Sequence, residues 1–224
     1  MTLFWVLVTI GVYLLSRKLS VKWTSPFTNV VFLSTTCLIV MLLLFDQPYS
    51  VYEPAKDIIT TLLGPATVAL GLPLYRNLPT LLARSKRALS AIIAGTVSTI
   101  VIAVLIGTAL KLTDQVLIGL SVKSVTAPIA LELANQLQGD AALAASITVA
   151  CGILGAMLGP MILSLFRVND PFTRGLALGT ISHGIGTAQA ATEHPLSGAA
   201  GGAAMGLSAI FTSFLLPFLL PFLL

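Results

Sequence analysis

Apolar residues along this chain come in long runs separated by short polar segments, without the strict alternation of a half-buried strand. A run of about 17 to 25 apolar residues is long enough to cross the hydrocarbon core of a bilayer as an α-helix. Six full spans are predicted: 2–16, 29–45, 58–75, 88–110, 141–166 and 196–220. The first is short, and Arg17 and Lys18 lengthen it by snorkelling at its end. Trp23 reads as an interfacial anchor. The segment 46–57 is polar and contains proline, so it reads as a loop with Tyr49 and Tyr52 at a membrane surface. The third span holds Gly64-Pro65 and, at 71–73, Gly-Leu-Pro, which predicts a kinked or unwound helix.

Two further apolar stretches break the pattern. The first, 114–139, reads DQVLIGLSVKSVTAPIALELANQLQG and carries Lys123, Glu132 and Asn135 around Pro128. A charged side chain near the bilayer centre is costly and faces protein or water, not lipid. The expectation is two half-helices, 114–123 and 128–138, joined by a turn at 123–127. Ala127 precedes a proline and is pushed out of the α region, while Pro128 suits the first helical turn. The free amides after Pro128 and the positive helix end make an anion site. The second stretch, 172–191, centres on SHGIGT, where Gly184 and Gly186 predict a break among Ser182, His183, Thr187 and Gln189.

Composition agrees with the pattern. Of 224 residues, 56% are hydrophobic and only 9% charged, with a mean hydropathy of +0.99. A soluble domain carries about 25% charged residues. The fold class is therefore an all-α polytopic membrane protein in one domain, 1–224. The net charge of +4 sits in short loops and signals no nucleic-acid partner. The basic loops 17–22 and 76–87 place the N-terminus outside. If 114–138 crossed fully, the basic loop 167–174 would fall outside as well; a re-entrant hairpin returns it to the cytoplasm, so the hairpin is preferred. Irregular backbone at that depth requires protein or water around it. Cys37 and Cys151 lie in apolar runs and read as free thiols that fill space. The first residues lack a basic leader and a small-residue cleavage site, which predicts a retained helix and not a signal peptide.

Two glycine series predict close helix packing: Gly198, Gly202 and Gly206, and Gly155 with Gly159. Either is compatible with a homodimer or with contacts inside one chain. Several polar residues carry two readings. His183 is either a buried, hydrogen-bonded imidazole or a residue that binds substrate or carries a proton. Lys123 either snorkels to an interface or meets a carboxylate deep in the hairpin turn. Glu132 and Asn135 share a helix face and form either a structural network or a proton or cation site. Tyr75, Arg76 and Asn77 either anchor or gate the third span, and His194 reads as a solvated surface residue. No enzyme, metal, phosphate-loop or dinucleotide motif stands out, and no cofactor is expected. An inverted internal repeat is suggested only faintly, by VALGL at 68–72 against IALEL at 129–133.

The segments SVTAPIALELANQLQG, LAASITVACGILGAMLGP and RGLALGTISHGIGTAQA, in that order, resemble the LrgB/CidB/YohK family of bacterial inner-membrane proteins. That resemblance implies a multi-pass protein, a smaller LrgA/CidA-type membrane partner, and either of two roles. One is an antiholin-like modulator of murein hydrolase activity and autolysis. The other, through a related plastidial glycolate/glycerate translocator, is a transporter of small 2-hydroxy or 2-keto monocarboxylates. For transport, the expected substrate site is Lys123, Ser124, Thr126, Pro128, Ser182, His183, Gly184, Gly186 and Thr187. Glu132, Asn135, His183 and Gln189 would form the coupling network.

Overall fold

The computed structural model describes every residue except Thr24, Leu70 and Leu224, and only the backbone of Leu63, Thr67, Pro221, Phe222 and Leu223. Among the described residues the chain is helical throughout, with no strand. Among the described residues, five stretches are long and apolar enough to cross a membrane: Thr2–Lys22, Tyr49–Arg76, Ser85–Ala109, Ala141–Leu165 and Pro195–Leu220. The sixth expected span, α2 (Val30–Leu44), has 15 residues. At 1.5 Å per residue it covers about 22 Å, short of a ~30 Å hydrocarbon core. The chain separates into two compact units, Met1–Ala69 and Leu70–Leu224.

In the first unit, α1 (Thr2–Lys22) runs six residues past the expected end, so 17–22 is helix and not loop. Asn29 caps α2 by accepting from the amides of Val31 and Phe32. The expected surface loop at 46–57 is corrected too. From Tyr49 it is helix, α3 (Tyr49–Thr61), because tertiary contact overrides its polar composition. Tyr52 stacks edge-on against Trp5 at 5.9 Å and hydrogen-bonds Thr9 at 3.2 Å. Leu62 caps the end of α3, just ahead of Gly64-Pro65, and α4 (Leu63–Ala69) follows. Leu70, part of the suspected repeat, lies outside the described residues.

The second unit continues with α5 (Gly71–Arg76) and α6 (Leu78–Ala83), then the crossing helix α7 (Ser85–Ala109). After it come α8 (Asp114–Ser121) and α9 (Ala127–Gln136), the crossing helix α10 (Ala141–Leu165), α11 (Pro171–Glu193) and α12 (Pro195–Leu223). The pair α8–α9 is a hairpin: Gln115 at its start donates to the carbonyl of Gln138 just past its end, at 3.4 Å. Its arms of 8 and 10 residues reach about 12–15 Å, half of a bilayer core.

The break in α11 turns it into a second hairpin. Ser182 (φ −120°, ψ 20°) and His183 (φ 42°, ψ −134°) leave helical geometry, and Arg174 meets Glu193 at 2.7 Å across 19 residues. In a straight helix those residues would stand about 28 Å apart. Both ends of this hairpin therefore lie on one face of the protein. That is the face where α7 begins, since Arg84 pairs with Asp170 at 3.1 Å. The α8–α9 hairpin starts where α7 ends, so the two hairpins enter from opposite faces.

α12 threads both arms of the second hairpin. A Cβ on Gly175 would lie 2.1 Å from the Ser197 carbonyl oxygen, and one on Gly179 would lie 2.2 Å from that of Gly201. These glycines, with Gly201, carry the closest backbone contact. Of the series 198/202/206, Gly198 packs against Ala191 within the chain, whereas a Cβ on Gly202 or Gly206 would meet no atom of the same chain within 4 Å. Gly155 and Gly159 do pack, against Ser182 and Leu178 of α11.

Asp170 caps α11, accepting from the Thr173 amide and hydroxyl. The Thr173 hydroxyl holds the Asp170 carboxyl below the ordinary range, with desolvation the next largest effect and opposed to it, and the Thr173 amide and the Arg84 guanidinium lowering it further. A depressed folded-state value means the contribution is present above pH ~4, the unfolded value, and is lost as pH falls through the folded one. Asp170→Ala is expected to cost about 1 kcal/mol at pH 7, as a lost N-cap does. Thermal melting of the purified protein checks this, and the gap between variant and parent should shrink as the pH drops below ~4.

Candidate functional site

The two hairpin tips meet on the middle of α10. Thr148 of that helix hydrogen-bonds both: its hydroxyl donates to the Val122 carbonyl at 3.5 Å, and its own carbonyl accepts from His183 Nε2 at 3.1 Å. A carbonyl can only accept, so the imidazole carries its proton on Nε2. The room for the second tip comes from three glycines in register down α10. A Cβ at Gly152 would strike the His183 ring at 2.4 Å, one at Gly155 the Ser182 hydroxyl at 1.8 Å, and one at Gly159 the Leu178 side chain at 2.5 Å. Gly152→Val should push His183 off the Thr148 carbonyl. The expected result is a protein that expresses but is less stable by roughly 1–3 kcal/mol in thermal melting, the usual range for overpacking.

The bend at 182–183 does not use its glycines as the sequence suggests. Positive φ falls on His183, while Gly184 and Gly186 are helical with ordinary φ. Gly186 is needed for close approach instead: a Cβ there would lie 2.3 Å from the Leu178 carbonyl oxygen of the facing arm. The Thr187 hydroxyl donates to the His183 carbonyl at 2.9 Å, a contact from the first turn after the bend.

At the first tip the turn comprises Val122 to Thr126, and Thr126 (ψ 151°) is the extended residue that starts α9. Ala127 is already helical, one residue earlier than the proline rule suggests. The Lys123 ammonium donates to Thr99 of α7 and, at 3.4 Å, to Ser124. Ser124 is buried and lies 3.5 Å from Thr99. None of the four ion pairs among the described residues includes Lys123.

A cavity of about 350 Å³ opens beside these tips, lined by Lys123, Cys151, Gly155 and Ser182 together with Leu and Ile side chains of α10 and α11. It takes in two of the expected substrate residues, Lys123 and Ser182. The rest of that set stands elsewhere. Ser124, His183 and Thr187 are buried, and neither they nor Thr126, Pro128, Gly184 and Gly186 line the cavity. The expected coupling network is dispersed. Glu132 and Asn135 are exposed on the outer face of α9, and Glu132 accepts from Gln136 at 2.9 Å. Gln189 lies farther down the second arm, where its carbonyl accepts from Thr192. The candidates that close the third span stand outside the cavity as well: Tyr75 is exposed, and the Asn77 side chain donates to the Pro73 carbonyl at 2.9 Å. His194 is exposed and caps α12 by accepting from the Leu196 amide.

Sequence reasoning passed over Thr99, Thr148 and Cys151. Thr99 and Thr148 read as ordinary β-branched residues of apolar spans, and Cys151 as a space filler, whereas all three stand at the tips or the cavity wall. One signal was available: a hydroxyl at mid-depth of each crossing helix, level with a hairpin tip that holds a polar residue. Thr96, one turn from Thr99 on α7, is buried with its hydroxyl unpartnered.

Chemically, the arrangement offers one ammonium group, one free hydroxyl and a hydrocarbon wall at membrane depth. A lysine held there by neutral hydroxyls favours an anion beside it, since the low dielectric strengthens the attraction.

The chain is 32% identical to the uncharacterized protein YwbG of Bacillus subtilis, over 85% of this chain and 84% of the relative. It is 28% identical to the holin-like protein CidB of Staphylococcus aureus, over 88% of this chain and 86% of that one. A Haemophilus influenzae relative is 30% identical over 85% and 83% of the two chains. No solved structure matches the chain. The model of the LrgB-like family matches residues 9–222, and the chain belongs to that family.

Proposed function

We propose that this chain is an antiholin-like regulator of murein hydrolase activity in the bacterial inner membrane, working with a small LrgA/CidA-type membrane partner. The similarity to holin-like CidB across most of both chains carries this reading. The basic face, with Arg84, Lys86, Arg87, Arg167 and Arg174, lies in the cytoplasm by the orientation rule. By the same rule the basic end of α1, with Arg17, Lys18 and Lys22, is cytoplasmic, and places the N-terminus in the periplasm. The test is the autolysis rate of cells lacking the gene, with and without the chain restored alongside its partner. A restored rate supports the reading, and an autolysis rate indifferent to the gene rejects it.

The geometry favours a second reading, secondary transport of a small monocarboxylate. Its specific support is the meeting of two hairpins, inserted from opposite faces, at a lysine with no acidic partner among the described ion pairs. Transporters place substrates between such interrupted helices near mid-depth. Lys123 would hold the carboxylate and Ser182 would donate to it, while His183 positions the second tip on α10 and is the residue able to carry a coupling proton. The two readings part at Lys123: regulation survives Lys123→Ala, and transport does not. Uptake of labelled glycolate, glycerate and pyruvate into proteoliposomes, with and without the partner, tests the second.

A further inference from the structure

The cavity beside the tips is far larger than a two- or three-carbon acid needs, and its polar groups occupy only one part of the wall. About 350 Å³ sits at the lower end of pockets that hold drug-sized molecules. Apart from Lys123, Cys151, Ser182 and two glycines, the wall is hydrocarbon, including Leu154, Leu158, Ile162, Leu163 and Ile181. Two observations point to a charged head at the polar part. The Lys123 ammonium bonds only to hydroxyls among its described partners. Ser182 lines the same cavity and is 1% exposed, and its buried hydroxyl has no hydrogen-bond partner among the described residues. An unsatisfied buried hydroxyl is costly, and a ligand oxygen would satisfy it.

From this we infer that the cavity seats a monocarboxylate with an unbranched hydrocarbon chain of medium length. The carboxylate lies between the Lys123 ammonium and the Ser182 hydroxyl, and the chain lies along the leucines and isoleucine of α10. A hydroxy acid gains nothing from that wall and leaves its hydroxyl against hydrocarbon, which weakens binding roughly tenfold or more. Each buried methylene instead strengthens binding about fourfold. The inference takes its view of the site from the transport reading, and moves the ligand class of that site from two- and three-carbon acids to longer unbranched ones.

Cys151 supplies the readout, because it lines the cavity; the other cysteine, Cys37, is changed to serine for the experiment. The full chain, in vesicles of neutral phosphatidylcholine, is alkylated with a small maleimide in the presence of butyrate, hexanoate, octanoate or glycolate. Protection should strengthen about fourfold per methylene, with glycolate weakest. Lys123→Ala and Ser182→Ala should each weaken protection at least ~tenfold while the thiol still reacts when no acid is added. Equal protection by the methyl ester of each acid, a flat dependence on chain length, or glycolate matching hexanoate overturns the inference. So does protection that appears without acid in phosphatidylglycerol vesicles, which would assign the cavity to a lipid headgroup. Chain-length-dependent protection without flux would retain this inference and reject transport; glycolate flux with no such dependence would do the reverse.

Discussion

Gly179→Leu is expected to prevent the second unit from assembling. The Cβ alone would lie 2.2 Å from the Gly201 carbonyl oxygen, a backbone atom that cannot rotate away. The first arm of α11 would have to leave α12, and with it the tip that carries Ser182 and His183. Overpacking a core typically costs about 1–3 kcal/mol where side chains can adjust, so about 3 kcal/mol or more is expected where only backbone can move. The measurement is the yield of monodisperse protein after mild heating in detergent, which should fall close to background. Gly202→Leu and Gly206→Leu serve as controls. At both, a Cβ would meet no atom of the same chain within 4 Å, so both should leave the yield within about a factor of two of the parent. If the controls collapse and Gly179→Leu survives, the packing of α11 on α12 is wrong.

Lys123→Ala should have the second large effect, and on function instead of folding. Removing one partner of a buried, hydrogen-bonded charge pair costs about 2–5 kcal/mol, or at least ~30-fold in affinity. Uptake of a labelled monocarboxylate at low concentration should fall by at least that factor. The lost bonds to Thr99 and Ser124 join neutral hydroxyls to the lysine, and polar contacts between membrane helices average only ~0.6 kcal/mol each. The variant should therefore still purify as the parent does. Unchanged uptake would reject the carboxylate at Lys123, and unchanged autolysis control in the same variant would support the regulatory role.

Much of this architecture is legible in the residues, and the failures have physical causes. Lys123 beside Pro128 announces the first hairpin, because charge and a helix-breaking imino acid cannot share a lipid-facing crossing. The second break is legible as a place but not as a shape. The pair Gly184/Gly186 suggests where strain is relieved, yet the left-handed residue is His183, held there by Thr148, Gly152 and Thr187 from outside the local sequence. Helix packing misleads for a related reason. Spacing alone makes 198/202/206 look like a contact face, whereas the close approach within the chain runs through Gly175 and Gly179, whose partner face depends on α11 doubling back. Glu132 and Asn135 show the limit of composition: polarity at membrane depth marks an unusual face, but which way that face points is set by tertiary structure. Thr148 is the hardest residue to find, since it matters through a hydroxyl and a carbonyl that serve two distant segments.

The account stands on α11 folding back at mid-depth so that its tip meets the first hairpin. The most direct test places cysteines at Arg174 and Glu193 in a chain whose Cys37 and Cys151 are serine, and treats native membranes with a short bismaleimide. Side chains that touch at 2.7 Å should be bridged within one chain, visible as a fragment pair held together after proteolysis between them. No bridging would mean a straight helix with about 28 Å between the two positions, and would contradict the account.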